Sequence, residues 1–122
     1  LVKTAGTLIN ISSEAAERGV PQLPAYCATK GAINALTQQL AIDYAGANVR
    51  VNAIAPGTTM TSMNEQVRRT DPEWESERSM GIPLGRLAST DDMTGAALFL
   101  ASDEASYVTG EILNVDGGST AT

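Results

Sequence analysis

Histidine is absent from this chain, and cysteine occurs once, at Cys27. The commonest general base of enzymes is therefore unavailable, and too few His and Cys ligands remain for a zinc site. A single cysteine forms no internal disulfide, which is typical of proteins kept in a reducing compartment. From these absences we predict a cytoplasmic protein without a metal site.

Positive charge and long apolar runs are also scarce. The 8 Lys and Arg are outnumbered by 14 Asp and Glu, which leaves a net charge of −6, whereas nucleic-acid binding needs clustered basic residues. No apolar run approaches the ~20 residues of a membrane-spanning helix, and no secretion signal or lipidation motif is recognisable. We therefore expect neither nucleic acid nor a membrane as a partner.

Strand and helix patterns alternate along the chain. Short apolar runs predict strands at 7–12, 49–54 and 111–115, and apolar residues at helical spacing predict helices at 25–45 and 90–102. This order predicts an α/β fold with a parallel sheet and right-handed crossovers.

The two predicted helices carry finer expectations. In the first, Ile33, Leu36, Leu40 and Tyr44 are spaced by three and four residues, which predicts one buried apolar stripe. In the second, Thr90 precedes two acidic residues and is the candidate N-cap.

The long segment 58–90 differs in character from the rest. It holds the only tryptophan, Trp74, and 9 of the 22 charged residues. In a compact domain such a segment is usually a lid or binding loop with short helices.

One helix carries a tyrosine and a lysine four residues apart, Tyr26 and Lys30. At that spacing both side chains lie on one face, one turn apart. A free phenol has a pKa near ~10, and a fixed positive charge nearby favours its ionised form. An isolated pair of this kind is more typical of a solvated helix face. A functional role is favoured here by the accompanying residues, beginning with Ser13, which lies thirteen residues before the tyrosine.

The same chain continues with Pro56-Gly57-Thr58-Thr59-Met60-Thr61 after its second strand and Val115-Asp116-Gly117-Gly118 after its last. Together with the serine and the Tyr-x-x-x-Lys pair, these blocks resemble the C-terminal half of a classical short-chain dehydrogenase/reductase, over nearly the whole chain. The resemblance implies a Rossmann-like doubly wound parallel sheet of which residues 1–122 form only the C-terminal half. The family's Gly-rich phosphate turn, Asn-Asn-Ala-Gly segment and catalytic asparagine have no counterpart here.

The resemblance also implies a reaction, the transfer of hydride between the nicotinamide of NAD or NADP and a carbonyl or alcohol carbon. Tyr26 corresponds to the general acid or base, and Ser13 to the hydrogen-bond partner of the substrate oxygen. Lys30 corresponds to the charge that lowers the phenol pKa and to an anchor for the nicotinamide ribose. Tyr26 also corresponds to a cofactor-binding residue of the family.

The Pro-Gly-x-x-x-Thr block corresponds to the family's cofactor loop. There Pro56 ends the strand and Gly57 lets the backbone approach the cofactor. The backbone of Thr58 and Thr59 would meet the nicotinamide carboxamide, and Thr61 would offer its hydroxyl to the same group.

The partners implied are a small carbonyl or alcohol substrate, the missing N-terminal half of the domain, and further copies of the chain in a homotetramer. Helix 25–45 and the last strand are the implied subunit contacts, with Asp116, Gly117 and Gly118 in that region. Two alternatives remain open at this point. The chain is a non-catalytic fragment that needs its missing half or self-association, or it is a sugar epimerase or dehydratase using the same Tyr-x-x-x-Lys pair.

Overall fold

A computed structural model of the chain describes residues 1–3 and 5–121. Its centre is a parallel sheet of three strands in the order β1-β2-β3. The strands are β1 Thr7–Ile11, β2 Arg50–Pro56 and β3 Ile112–Val115. The predicted parallel α/β arrangement is confirmed, with each strand within two residues of its expected ends.

The described residues contain the α-helices α1 Pro24–Ala45, α2 Glu65–Thr70, α3 Trp74–Ser79 and α4 Thr90–Ala101. Both α1 and α4 pack on β2. Consecutive β2 residues point to opposite faces, and Val51, Asn52, Ala53 and Ile54 are all buried. The middle strand is therefore covered on both faces, as expected of a doubly wound parallel sheet.

Helix α1 meets the sheet through small and polar residues. Only Thr37 and Ala41 are fully buried along it, and Ala41 packs in a cluster with Val49 and Val51. The predicted buried stripe is wrong for Leu36 and Tyr44, which are 52% and 41% exposed. Leu40 is partly buried against the same cluster, whereas Leu36 and Tyr44 remain exposed.

Helix α4 is fastened at both ends. Ser89, and not the predicted Thr90, is its N-cap, since Ser89 has the extended backbone of a cap. Its N–H donates to Asp92 Oδ2 at 2.7 Å, and its side chain accepts from the Asp92 N–H, which makes a reciprocal capping box. The Ser89 hydroxyl also lies 2.8 Å from Asp92 Oδ2. At the other end the Arg50 guanidinium donates to the carbonyls of Leu100 and Ser102 at 2.8 and 3.1 Å, where a cation also complements the helix dipole.

Residues 60–81, which we call the lid, contain α2 and α3. The segments before and after the lid are joined by a parallel bridge between Thr59 and Ala88, with hydrogen bonds from Met60 N to Ala88 O at 2.8 Å and from Ala88 N to Thr58 O at 3.0 Å. The short helices agree with the sequence pattern, while a lid function stays a prediction.

Candidate active site

The candidate residues meet at the carboxyl edge of the sheet. Ser13 follows the end of β1, Pro56 is the last residue of β2, and Tyr26 lies in the first turn of α1. Because β1 and β2 are parallel neighbours, their carboxyl ends share one edge, and the helix that leaves β1 starts there too. Ligands of open α/β sheets bind at this edge.

Two adjacent serines have different surroundings. The Ser12 hydroxyl is 2.5 Å from Asn34 Oδ1 and 3.3 Å from the carbonyl oxygen of Lys30, so it ties β1 to α1. The Ser13 oxygen accepts a hydrogen bond from Ala15 N at 3.2 Å, and no acceptor among residues 1–3 and 5–121 takes its hydroxyl hydrogen. Ser13 therefore retains a hydrogen-bond donor for a ligand, whereas the hydroxyl of Ser12 is occupied.

Tyr26 and Lys30 form the second part of the site. The Lys30 Nζ donates to the carbonyl of Ile11 at 3.0 Å and lies 5.7 Å from the centre of the Tyr26 ring. An ammonium group has three hydrogens, so two remain for other partners. Tyr26 is 43% exposed, and its phenol reaches solvent. The backbone of β1 thus fixes a positive charge beside an accessible phenol.

Polar side chains between β1 and α1 hold these groups in register. Asn10 Nδ2 donates to Thr37 Oγ1 at 2.9 Å, which adds to the contacts made by Asn34 and Lys30. Sequence reasoning missed Asn34 and Thr37. Their signal is the spacing 30, 34 and 37, which places all three on one helix face.

The loop 56–61 is braced from within and from β3. Thr59 Oγ1 donates to Gly57 O at 2.9 Å, and the Asn64 amide donates to Thr59 O at 2.7 Å and accepts from Thr61 N at 3.2 Å. Asn64 was also missed by sequence reasoning. A side chain at Gly57 would place its Cβ 2.7 Å from the Cα of Asp116. Glycine is therefore required at position 57 because the backbone there lies against Asp116, just after β3. The sequence suggests a different reason, a close approach to the cofactor.

Beside this loop is a small cavity of about 130 Å³, lined in part by Gly57, Thr58, Arg86 and Asp92. Arg86 donates to both oxygens of Asp92 at 2.8 Å. Hydrogen bonds from Arg86 and Ser89 hold the pKa of the Asp92 carboxyl well below its usual range. The pair joins the chain that follows the lid to the start of α4.

Asp116 organises the turn after β3. Its Oδ1 accepts from Gly118 N at 2.9 Å, and its Oδ2 accepts from Thr120 N at 2.8 Å and Thr120 Oγ1 at 2.6 Å. Burial by itself raises the pKa of this carboxyl, but the hydrogen bonds from Thr120 and Gly118 outweigh it, so the pKa is lowered.

Replacing Asp116 with Asn in the full-length protein is expected to lower the free energy of unfolding by about 1–3 kcal/mol at neutral pH, because an amide nitrogen would face the turn's donors. The folded-state pKa is below the unfolded value of ~3.9. The carboxylate therefore stabilises the fold above that pH and loses this effect as pH falls through the folded-state pKa. Denaturant unfolding at pH 7 and about pH 3 should show the difference between wild type and variant shrinking in acid.

The control is Asp103→Asn, which changes an exposed carboxyl and should alter the unfolding midpoint little at either pH. Equal destabilisation by both variants would contradict the role of the Asp116 hydrogen bonds.

Known proteins resemble this chain in both sequence and structure. A family model described as enoyl-(acyl carrier protein) reductase matches residues 1–120. The chain belongs to the short-chain dehydrogenase/reductase family. This confirms the family resemblance, and structural relatives of the family share its Rossmann-like parallel sheet.

Three relatives illustrate the match. The 2-(S)-hydroxypropyl-CoM dehydrogenase 3 of Xanthobacter autotrophicus is 48% identical over 119 residues, which are 95% of this chain and 47% of that protein. A short-chain dehydrogenase/reductase from Burkholderia thailandensis is 36% identical with a TM-score of 0.90, over 96% of this chain and 46% of that one. ElxO with NADP bound is 30% identical with a TM-score of 0.92, over 99% and 49%. The chain spans about half the length of the curated relatives it matches.

Two features are absent from residues 1–3 and 5–121. No helix there is long and apolar enough to cross a membrane, and no group of three or more Cys, Asp and Glu side chains is placed to hold a metal ion.

Proposed function

We propose that the protein is an NAD- or NADP-dependent oxidoreductase that interconverts a ketone and a secondary alcohol. The observation that carries this proposal is the grouping of Ser13, Tyr26 and Lys30 at the carboxyl edge of the sheet, with unused hydrogen-bonding capacity on each. Membership in the dehydrogenase family and NADP binding by ElxO support it.

The residues fit this chemistry. When bound, the nicotinamide supplies or accepts the hydride. Ser13, whose hydroxyl hydrogen is uncommitted, donates a hydrogen bond to the substrate oxygen. The Tyr26 phenol gives a proton to that oxygen in reduction or takes it in oxidation, so that carbon and oxygen change together.

Lys30 has two roles in this proposal. Its ammonium, held by the Ile11 carbonyl, stabilises negative charge on the phenol, and its remaining hydrogens would bind the ribose hydroxyls. The loop from Pro56 through Gly57 to Thr61 would hold the carboxamide, through the backbone of Thr58 and Thr59 and the hydroxyl of Thr61.

We further propose that residues 1–122 are the C-terminal half of one nucleotide-binding domain. Within the described part of the chain no strand pairs with the outer edge of β1. Between the sheet and α1 lies an apolar groove of about 560 Å³, lined in part by Leu8, Leu40, Tyr44 and Val51. An open edge and an open groove both favour a missing partner. The absent half would add strands next to β1 and the phosphate-binding turn.

Self-association is a related proposal. Leu36 and Ile42 are apolar and exposed on α1, at 52% and 74%, which suits the homotetramer implied by the family. The names of a dehydrogenase and an oxidoreductase among the relatives favour the oxidoreductase over the epimerase or dehydratase alternative.

A cofactor titration tests the proposal and separates it from the non-catalytic fragment. The full-length protein should quench or shift NADPH or NADH fluorescence and oxidise one of the two in the presence of small ketones. Residues 1–122 alone should bind neither, because helix N-termini and glycine turns that hold pyrophosphate belong to the other half. Failure of the full-length protein to bind either cofactor would refute the oxidoreductase assignment.

A further inference from the structure

The turn at 116–118 touches two parts of the site at once. On one side is the loop 56–61, where Gly57 leaves no room for a side chain against Asp116. On the other side is the segment 82–84, through which the lid returns to the body of the protein. The turn thus lies between the proposed cofactor loop and the base of the lid.

The turn makes close contacts with segment 82–84, which we call the lid base. A Cβ added to Gly117 would be 2.7 Å from Ile82 Cγ2, and one added to Gly118 would be 3.0 Å from Pro83 Cγ. The Leu84 N–H donates to the Gly117 carbonyl at 3.1 Å. Ile82 is buried, so its contact with Gly117 is part of the packed interior and does not yield easily.

The lid itself packs far less than its base. Met63 and Met80 within it are 92% and 80% exposed, and no residue of α2 or α3 is buried. The position of the lid is therefore set mainly by its flanking segments, since few interior contacts of its own hold it.

We propose that Gly117 and Gly118 are positioning residues, which seat the lid base against the loop 56–61 and so place the lid over Ser13 and Tyr26. The proposal rests on the function proposed above. It differs from the subunit-assembly role that the family resemblance implies for this region, because the contacts that require glycine here lie within one chain.

The test compares two alanine substitutions in the full-length protein. Gly117 and Gly85 both have positive φ, +65° and +71°, so both substitutions carry a left-handed backbone cost. Only Gly117→Ala also places a methyl group against Ile82, since nothing lies within 4 Å of the added Cβ at Gly85.

Hydrogen exchange measures how firmly Gly117 holds the lid base, independently of catalytic turnover. Gly117→Ala should speed exchange of the Leu84 amide and of lid amides at 60–81 by about tenfold over wild type and over Gly85→Ala. In steady state Gly117→Ala should lower kcat/KM by about 10- to 100-fold, mainly through KM for the ketone, because misplacement of binding groups has that effect.

Rescue distinguishes positioning from general damage. In an Ile82→Ala background, which lacks the Cγ2 atom that the new methyl meets, adding Gly117→Ala should change exchange and KM no more than adding Gly85→Ala does. Indistinguishable exchange in Gly117→Ala and Gly85→Ala, or an undiminished effect of Gly117→Ala in the Ile82→Ala background, would overturn the proposal. Absence of turnover in the full-length protein would refute the oxidoreductase function instead. The exchange comparison would still show whether Gly117 positions the lid base.

Discussion

Replacing Tyr26 with Phe is expected to lower kcat by about 10²- to 10⁴-fold, the range that a positioned general acid or base contributes. The substitution removes one oxygen from a side chain that is 43% exposed. The ring, and with it the contact to Lys30, remains. The loss should therefore come from proton transfer, with the unfolding midpoint and the cofactor affinity close to those of wild type.

Initial rates of NADPH or NADH oxidation with a small ketone, measured on the full-length protein, check this expectation. Tyr107→Phe is the matched control, because Tyr107 is fully exposed at 102% and lies outside the site. The control should retain wild-type rates. Tyr26→Phe with wild-type kcat would remove Tyr26 from the mechanism.

Ser13→Ala is expected to lower kcat/KM by about 10²- to 10³-fold, as the loss of one donor aimed at a reacting oxygen does. Its neighbour provides the comparison. Ser12→Ala removes the hydrogen bond to Asn34 and should cost about 1–3 kcal/mol of stability, with kcat/KM within about tenfold of wild type.

Measuring kcat/KM and denaturant midpoints on both variants gives each a predicted signature. Ser13→Ala should be mainly a rate defect, with about 1 kcal/mol lost from the 3₁₀ turn that its oxygen caps. Ser12→Ala should be mainly a stability defect. The reverse pattern would mean that Ser12 is the hydroxyl that serves the substrate.

The difference between these serines illustrates what a linear pattern can predict. Alternation along a strand places Ser12 and Ser13 on opposite faces, and family spacing selects Ser13. Neither the alternation nor the spacing indicates that Asn34 lies beside Ser12, because Asn34 is twenty-two residues away along the chain. The catalytic roles of Ser13, Tyr26 and Lys30 stay predictions, while the structure brings these residues to one edge of the sheet.

Where sequence reasoning erred, local preference competed with packing. Leu36 and Tyr44 have the right spacing for a buried stripe, but the positions of α1 that the fold buries are Thr37 and Ala41. Thr90 is a sound N-cap by composition, yet Ser89 takes that place because its backbone is extended and its side chain reaches Asp92.

The order of strands and helices, the parallel sheet and the family resemblance could all be predicted from the sequence, since they follow from short-range periodicity and from motifs at set spacings. The reason why particular positions are glycine is visible only in the folded chain. Gly57 and Gly117 read locally as turn residues, but the atoms that exclude a side chain belong to Asp116 and Ile82. Those atoms come from distant parts of the chain, so their approach exists only once the sheet edge and the lid base have packed together.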